Sequence, residues 1–190
     1  MFDADCDLAA VVYAPDEDPD EVLRSFVRGL QEQGRRVVGM IQEGRHCTGG
    51  PVLAGTFIHD GRRIRLDQDL GSCAQSCRLD PAQLMAAGVE IAAAIAPDTD
   101  LLVVNRFGKL EEHGRGLGFL IEQALEADIP VVVAVAQGRF SEWIRYAAGM
   151  SVRLPCDVGS LLAWWRARSS DAGARAADMA ARDSICALVK

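Results

Sequence analysis

The chain has 190 residues, 49% hydrophobic and 25% charged, which is enough for one substantial core and short for two. Acidic residues outnumber basic ones by 27 to 20, for a net charge of -7, and this argues against a general nucleic-acid binder, whose phosphate contacts need clustered cations. The start, Met1-Phe2-Asp3-Ala4-Asp5-Cys6-Asp7, is acidic where a secretory signal is basic, and no apolar run nears the ~20 residues of a membrane span, so a cytosolic protein with no membrane partner is expected.

In chain order, Leu8 to Tyr13 reads as a short buried strand ending at Ala14-Pro15. Asp18-Pro19-Asp20-Glu21 supplies an N-cap, a proline for the first helical position and an acid three residues after the cap. The helix it opens runs to about Gln33, with Val22, Phe26, Val27 and Leu30 inward, and Gly34 stops it. A second strand follows over 36–42, then a polar, glycine-containing loop over 42–51. Val52 to Ile58 and Arg62 to Leu66 form a hairpin around His59-Asp60-Gly61, because Asp-Gly supplies the positive φ of its turn.

After a loop over 67–78, Asp80-Pro81-Ala82-Gln83 repeats the cap signal and opens an alanine-rich helix to about Ala96. Leu101 to Val104 is a buried strand, followed at once by the polar run Asn105-Arg106-Phe107-Gly108-Lys109-Leu110-Glu111 and by Glu112-His113-Gly114-Arg115-Gly116. A helix over 116–127, an apolar strand over 131–135, a short helix over 141–146, a strand over 151–154 and a helix over 157–168 with Trp164 and Trp165 complete the alternation. Residues 1–168 are expected as one domain and 169–190, rich in Ala, Ser, Asp and Arg, as a tail. Strands alternating with helices imply an α/β three-layer sandwich with a mostly parallel sheet, right-handed crossovers and an inserted β-hairpin.

That order of parts resembles a small P-loop nucleoside triphosphatase (NTPase), with the run from Val103 to Glu111 on its second acidic motif and Gly34 to Gly39 on the strand before the insertion. More closely, residues 8–166 resemble a bacterial family described as NTPase-like, through the pattern Asn105-x-Phe107-Gly108-Lys109-x-Glu111-x-x-Gly114-Arg115-Gly116 and the late Trp164-Trp165. The resemblance implies a P-loop NTPase-like fold and genes near those of molybdate transport.

The chemistry departs from the motif. A P-loop surrounds phosphate with bare glycine amides and one ammonium, whereas Ala14-Pro15-Asp16-Glu17-Asp18-Pro19-Asp20 offers no glycine, lysine or hydroxyl and four carboxylates. At about 1 to 4 kcal/mol per close pair, each carboxylate would repel a phosphate oxygen. Asn105 stands where an aspartate would help hold magnesium, and Arg106 where a catalytic glutamate would stand, so ordinary MgATP hydrolysis is not expected.

A small oxyanion, molybdate or tungstate by the resemblance, is the expected ligand and partner, and no other cofactor is expected. Asn105, Arg106, Lys109, His113 and Arg115 would hold it, with backbone donors around Gly114 and Gly116, and Arg45 and Arg78 joining from neighbouring loops. The competing structural reading pairs Arg106 and Lys109 with Glu111 and Glu112 as an ion network. His46 and Cys47, or Cys73 and Cys77 at a Cys-x-x-x-Cys spacing, are weaker metal candidates. In a reducing cytosol the six cysteines, Cys186 included, are expected as free thiols. Two alternatives stay open: a divergent nucleotide-binding enzyme with weak triphosphatase activity using Glu111 as base, and a non-catalytic regulatory partner protein. A homo-oligomer is possible under any of them.

Overall fold

The computed structural model describes residues 6–43, 53–67 and 79–169. In chain order the elements are β1 (Leu8–Tyr13), α1 (Pro19–Glu32), β2 (Val37–Glu43), β3 (Ala54–Phe57), β4 (Arg63–Arg65), α2 (Pro81–Ala94), β5 (Leu101–Phe107), α3 (Lys109–Glu112), α4 (Gly118–Glu126), β6 (Val131–Ala136), α5 (Phe140–Tyr146) and β7 (Val152–Pro155). A last helix, α6, covers 158–169.

The strands form one sheet in the order β4-β3-β2-β5-β6-β1-β7. β2, β5, β6, β1 and β7 are parallel, and β3 and β4 form the antiparallel hairpin on one edge. Because β1, β5 and β6 are buried on both faces, they read as nearly unbroken apolar runs. Their side chains alternate between two cores. Ala10, Val12, Leu102, Val104, Val131 and Val133 pack with α2, α4 and α5, while Ala9, Val11, Leu101, Val103, Val132 and Ala134 pack with α1 and α6. The α/β three-layer sandwich with its inserted hairpin is therefore the architecture that the sequence implied.

Local chemistry explains the helix that matters most here. The Asp18 carboxylate accepts from the amides of Asp20 (3.0 Å) and Glu21 (3.3 Å), and Pro19 fills the first helical position. The inner face carries Leu23, Phe26, Val27 and Leu30, each contributing about 1.5–3 kcal/mol by burial. Val22, expected inward, is only half-buried and Leu23 takes its place. Gly39 is required on β2 because a Cβ there would lie 2.0 Å from the Val103 carbonyl oxygen of β5.

Trp143, Trp164 and Trp165 are all core residues. The Trp164 Nε1 donates to the Cys6 carbonyl (3.1 Å), and Arg168 pairs with Asp7, which ties α6 to the start of β1. No helix among the described residues is long and apolar enough to cross a membrane.

Candidate functional site

The carboxyl ends of β1, β2, β5 and β6 open on one side of the sheet, where ligands of such sheets bind. β5 ends irregularly. Its register with β6 runs Val104 to Val133 and then Phe107 to Val135, so β5 carries one residue more than its neighbour. The extra residue is absorbed at Arg106, whose φ of 66° lies in the left-handed region that few side chains adopt. Alternation is lost there, and Asn105 and Arg106 both reach the first turn of α1.

They meet Asp20. Arg106 donates from Nη2 (2.6 Å) and Nε (3.3 Å) to the two Asp20 oxygens, and the Asn105 Nδ2 donates to Oδ1 (3.0 Å). Asp20, Asn105 and Arg106 are all largely buried. The competing sequence reading had Arg106 paired with Glu111 or Glu112; the fold corrects the partner to Asp20.

The β1–α1 loop is filled with the chain's own negative charge. Glu17 accepts from the amide of Ala14 (2.6 Å), and Asp18 from those of Asp20 and Glu21. These three amides are among the backbone donors that would surround a phosphate in a P-loop. Each has a carboxylate on it already.

Glu111 is 4% exposed and accepts from the amides of Gly108 (3.0 Å) and Leu117 (3.1 Å), bracing α3 and the turn after it. Burial raises its carboxyl above the ordinary glutamate value, against the pull of those amides. Gly116, at φ 67°, is needed because a Cβ would stand 2.2 Å from the Glu111 Oε1. Glu112 pairs with Arg139 (3.4 Å) and lies 4.0 Å from Arg145.

Beyond the strand ends lies a cavity of about 660 Å³. Asn105, Arg106 and Lys109 line it, together with Tyr13, Gln42 and Arg139. Lys109 is exposed at the rim and forms no ion pair among the described residues. His113, Gly114, Arg115 and Gly116 are not among the lining residues; the His113 Nδ1 is 2.6 Å from the Lys109 carbonyl oxygen. Arg45, His46, Cys47, Cys73, Cys77 and Arg78 lie outside the described residues, as does the tail over 170–190. Among the described residues no cluster of His, Cys, Asp and Glu could hold a metal ion, and Cys6 and Cys156 are free thiols.

Sequence reasoning missed Tyr13, Gln42 and Arg139. The signal was present, because they sit at or just after the carboxyl ends of β1, β2 and β6, and the rule that singled out β5 applies to each.

The family described as "Protein of unknown function (DUF2478)" matches residues 8–164, and the chain belongs to it. It is 40% identical over 167 residues to "Molybdenum import ATP-binding protein ModC 2" of Bradyrhizobium diazoefficiens, a match that covers 86% of this chain and 18% of that protein. The chain thus spans less than a fifth of that relative's length. Among solved structures, "Solution Structure of a Human Cancer-Related Nucleoside Triphosphatase" superposes with a TM-score of 0.58 at 13% identity, covering 77% of this chain and 87% of that one. The likeness shows a P-loop NTPase-like fold.

Proposed function

We propose that this family member is a non-hydrolytic, P-loop-like protein that binds a small oxyanion in the cavity beyond β5. Molybdate and tungstate are the favoured oxyanions because the relative that shares 40% identity carries molybdenum import in its name. The observation that carries the reading is the occupation of the β1–α1 loop by Glu17 and Asp18, whose carboxylates already hold the amides a nucleotide's phosphates would need. A triphosphate brought there would face Asp16, Glu17, Asp18 and Asp20 with no lysine to offset them.

Among the described residues lining the cavity, the cation left for a ligand is Lys109, with Arg139, paired to Glu112, beside it on the wall and Arg106 behind. Arg106 acts through its grip on Asp20, which fixes the Asn105 amide, instead of pairing with the anion directly. Glu111 is poorly placed as a water-activating base, since both its oxygens accept from backbone amides.

Calorimetric titration with molybdate, phosphate and MgATP, alongside a phosphate-release assay, tests the reading. Molybdate binding that is lost in Lys109→Ala, with no ATP turnover, supports it. MgATP binding with turnover would favour the nucleotide-binding alternative instead.

A regulatory or interaction role is favoured by a separate observation. Met85 and Val89 on α2, with Phe119 at the start of α4, are exposed apolar side chains on one side of the sandwich. Such a face suits another protein chain or a second copy of this one.

A further inference from the structure

Helix α2 is apolar on nearly every side, and a helix of that kind belongs inside a protein. The fold buries one side of it, through Leu84, Ala87, Gly88 and Ile91. The opposite side, Ala82, Met85, Ala86, Val89 and Ala93, is exposed, and none of the five has a polar side-chain group. Val89 is 63% exposed. The solvated helix α1 differs, since it turns Glu21, Arg28, Gln31 and Glu32 outward.

The two flanks of this stripe are unlike. A Cβ at Gly88 would stand 3.0 Å from the Phe119 ring, so the exposed Phe119 lies directly against α2 and widens the apolar surface toward α4. Two residues apart on a helix, Gly88 and Glu90 point to opposite flanks. On the second flank Glu90 pairs with Arg62 of the hairpin, and both side chains are about half exposed.

What covers the stripe must bring an apolar surface of its own and meet an ion pair along one border. A uniformly acidic or basic partner would set a like charge against one member of that pair. A second copy does not. When two α2 helices lie antiparallel about a two-fold axis between Ala86 and Val89, each flank meets its own equivalent. The Arg62–Glu90 pair then lies beside the same pair of the other copy, and the guanidinium of each can reach the carboxylate of the other. The alanines at 82, 86 and 93 let the helix axes approach to about 8 Å.

We infer that this face of α2 and α4 is where a second copy of the chain packs, through antiparallel α2 helices flanked by exchanged Arg62–Glu90 pairs. The inference rests on the interaction reading of this face and is independent of the oxyanion cavity. At 14 residues α2 is about 21 Å long, a small contact for a specific interface, so association in the micromolar range is expected.

Sedimentation of the full chain over roughly 1 to 200 μM tests it, and the apparent mass should double across that range. Val89→Glu sets a carboxylate at the centre of the stripe. Because Val89 is already exposed, the variant should fold, bind molybdate as the parent does, and associate at least about tenfold more weakly. Arg62→Glu and Glu90→Arg should each weaken association, and the two together should restore it. A dimer indifferent to Val89→Glu, or one that the double exchange does not restore, overturns the inference. A chain that stays monomeric throughout overturns it too. If that monomer still enhances the fluorescence of anilinonaphthalene sulfonate, and Val89→Glu abolishes the enhancement, the face stands open to a different protein; without such binding the interaction reading falls as well.

Discussion

Arg106 and Asp20, 86 residues apart in sequence, form a two-pronged ion pair of 2.6 and 3.3 Å that joins the end of β5 to the first turn of α1. Removing one side leaves the other charge buried without compensation. Asp20→Ala should therefore lower stability by about 3 kcal/mol in urea denaturation. Replacing both residues by apolar ones of similar size, Asp20→Leu with Arg106→Met, should recover most of the loss. If the single variant is as stable as the parent, the pair is not holding the two elements together.

The same turn provides a pair of glycine tests with different expected costs. Gly114 and Gly116 both have φ of 67°, yet a Cβ at Gly114 meets nothing within 4 Å while one at Gly116 meets the Glu111 carboxylate. Gly114→Ala should cost about 1 kcal/mol, the backbone penalty alone. Gly116→Ala should cost more, because the carboxylate must leave both amides it serves. Thermal melting of the two variants separates strain from collision, and equal losses would contradict the geometry.

Glu111 gives a pH dependence with a definite sign. Burial raises its carboxyl in the folded state above the value it has unfolded, so the folded protein holds the proton more tightly. Its contribution to stability is full below the unfolded value and declines as pH rises through the raised folded value. Glu111→Gln should flatten that decline. Denaturation midpoints measured from acid to neutral pH should show the variant gaining on the parent as pH rises, and parallel curves would count against the burial argument.

Cys156 is held protonated. Burial, followed by the carboxylates of Glu17, Asp18, Asp157 and Asp20, pushes its thiol up to about 11. Alkylation by iodoacetamide, followed at the Cys156 peptide by mass spectrometry, should climb about tenfold per pH unit through the range of roughly 8 to 10. A rate that levels off near the ordinary thiol value would show that the acidic loop does not act on it.

The fold was legible because its signals are local and periodic. Asp18-Pro19 and Asp80-Pro81 announced two helix starts, and both caps form as read. The apolar runs of β1, β5 and β6 announced strands buried on both faces. The one-turn helix α3 was not read, since it is held by Glu111 reaching backbone amides and not by a repeating apolar face. The site was legible only as a place. Which charges would be free depended on the irregularity at Arg106, and nothing in Asn105-Arg106-Phe107 marks a left-handed arginine. Asp20, which read as one more helix-start acid, became the partner of both residues only once α1 was set against β5.

The acidic loop after β1 has a further result. The amides of Ala14, Asp20 and Glu21 are satisfied by carboxylates attached to the same backbone, at an effective concentration no dissolved phosphate can match. Helix α1 is consequently seated whether nucleotide is abundant or exhausted. The folded population should be indifferent to the energy charge around it.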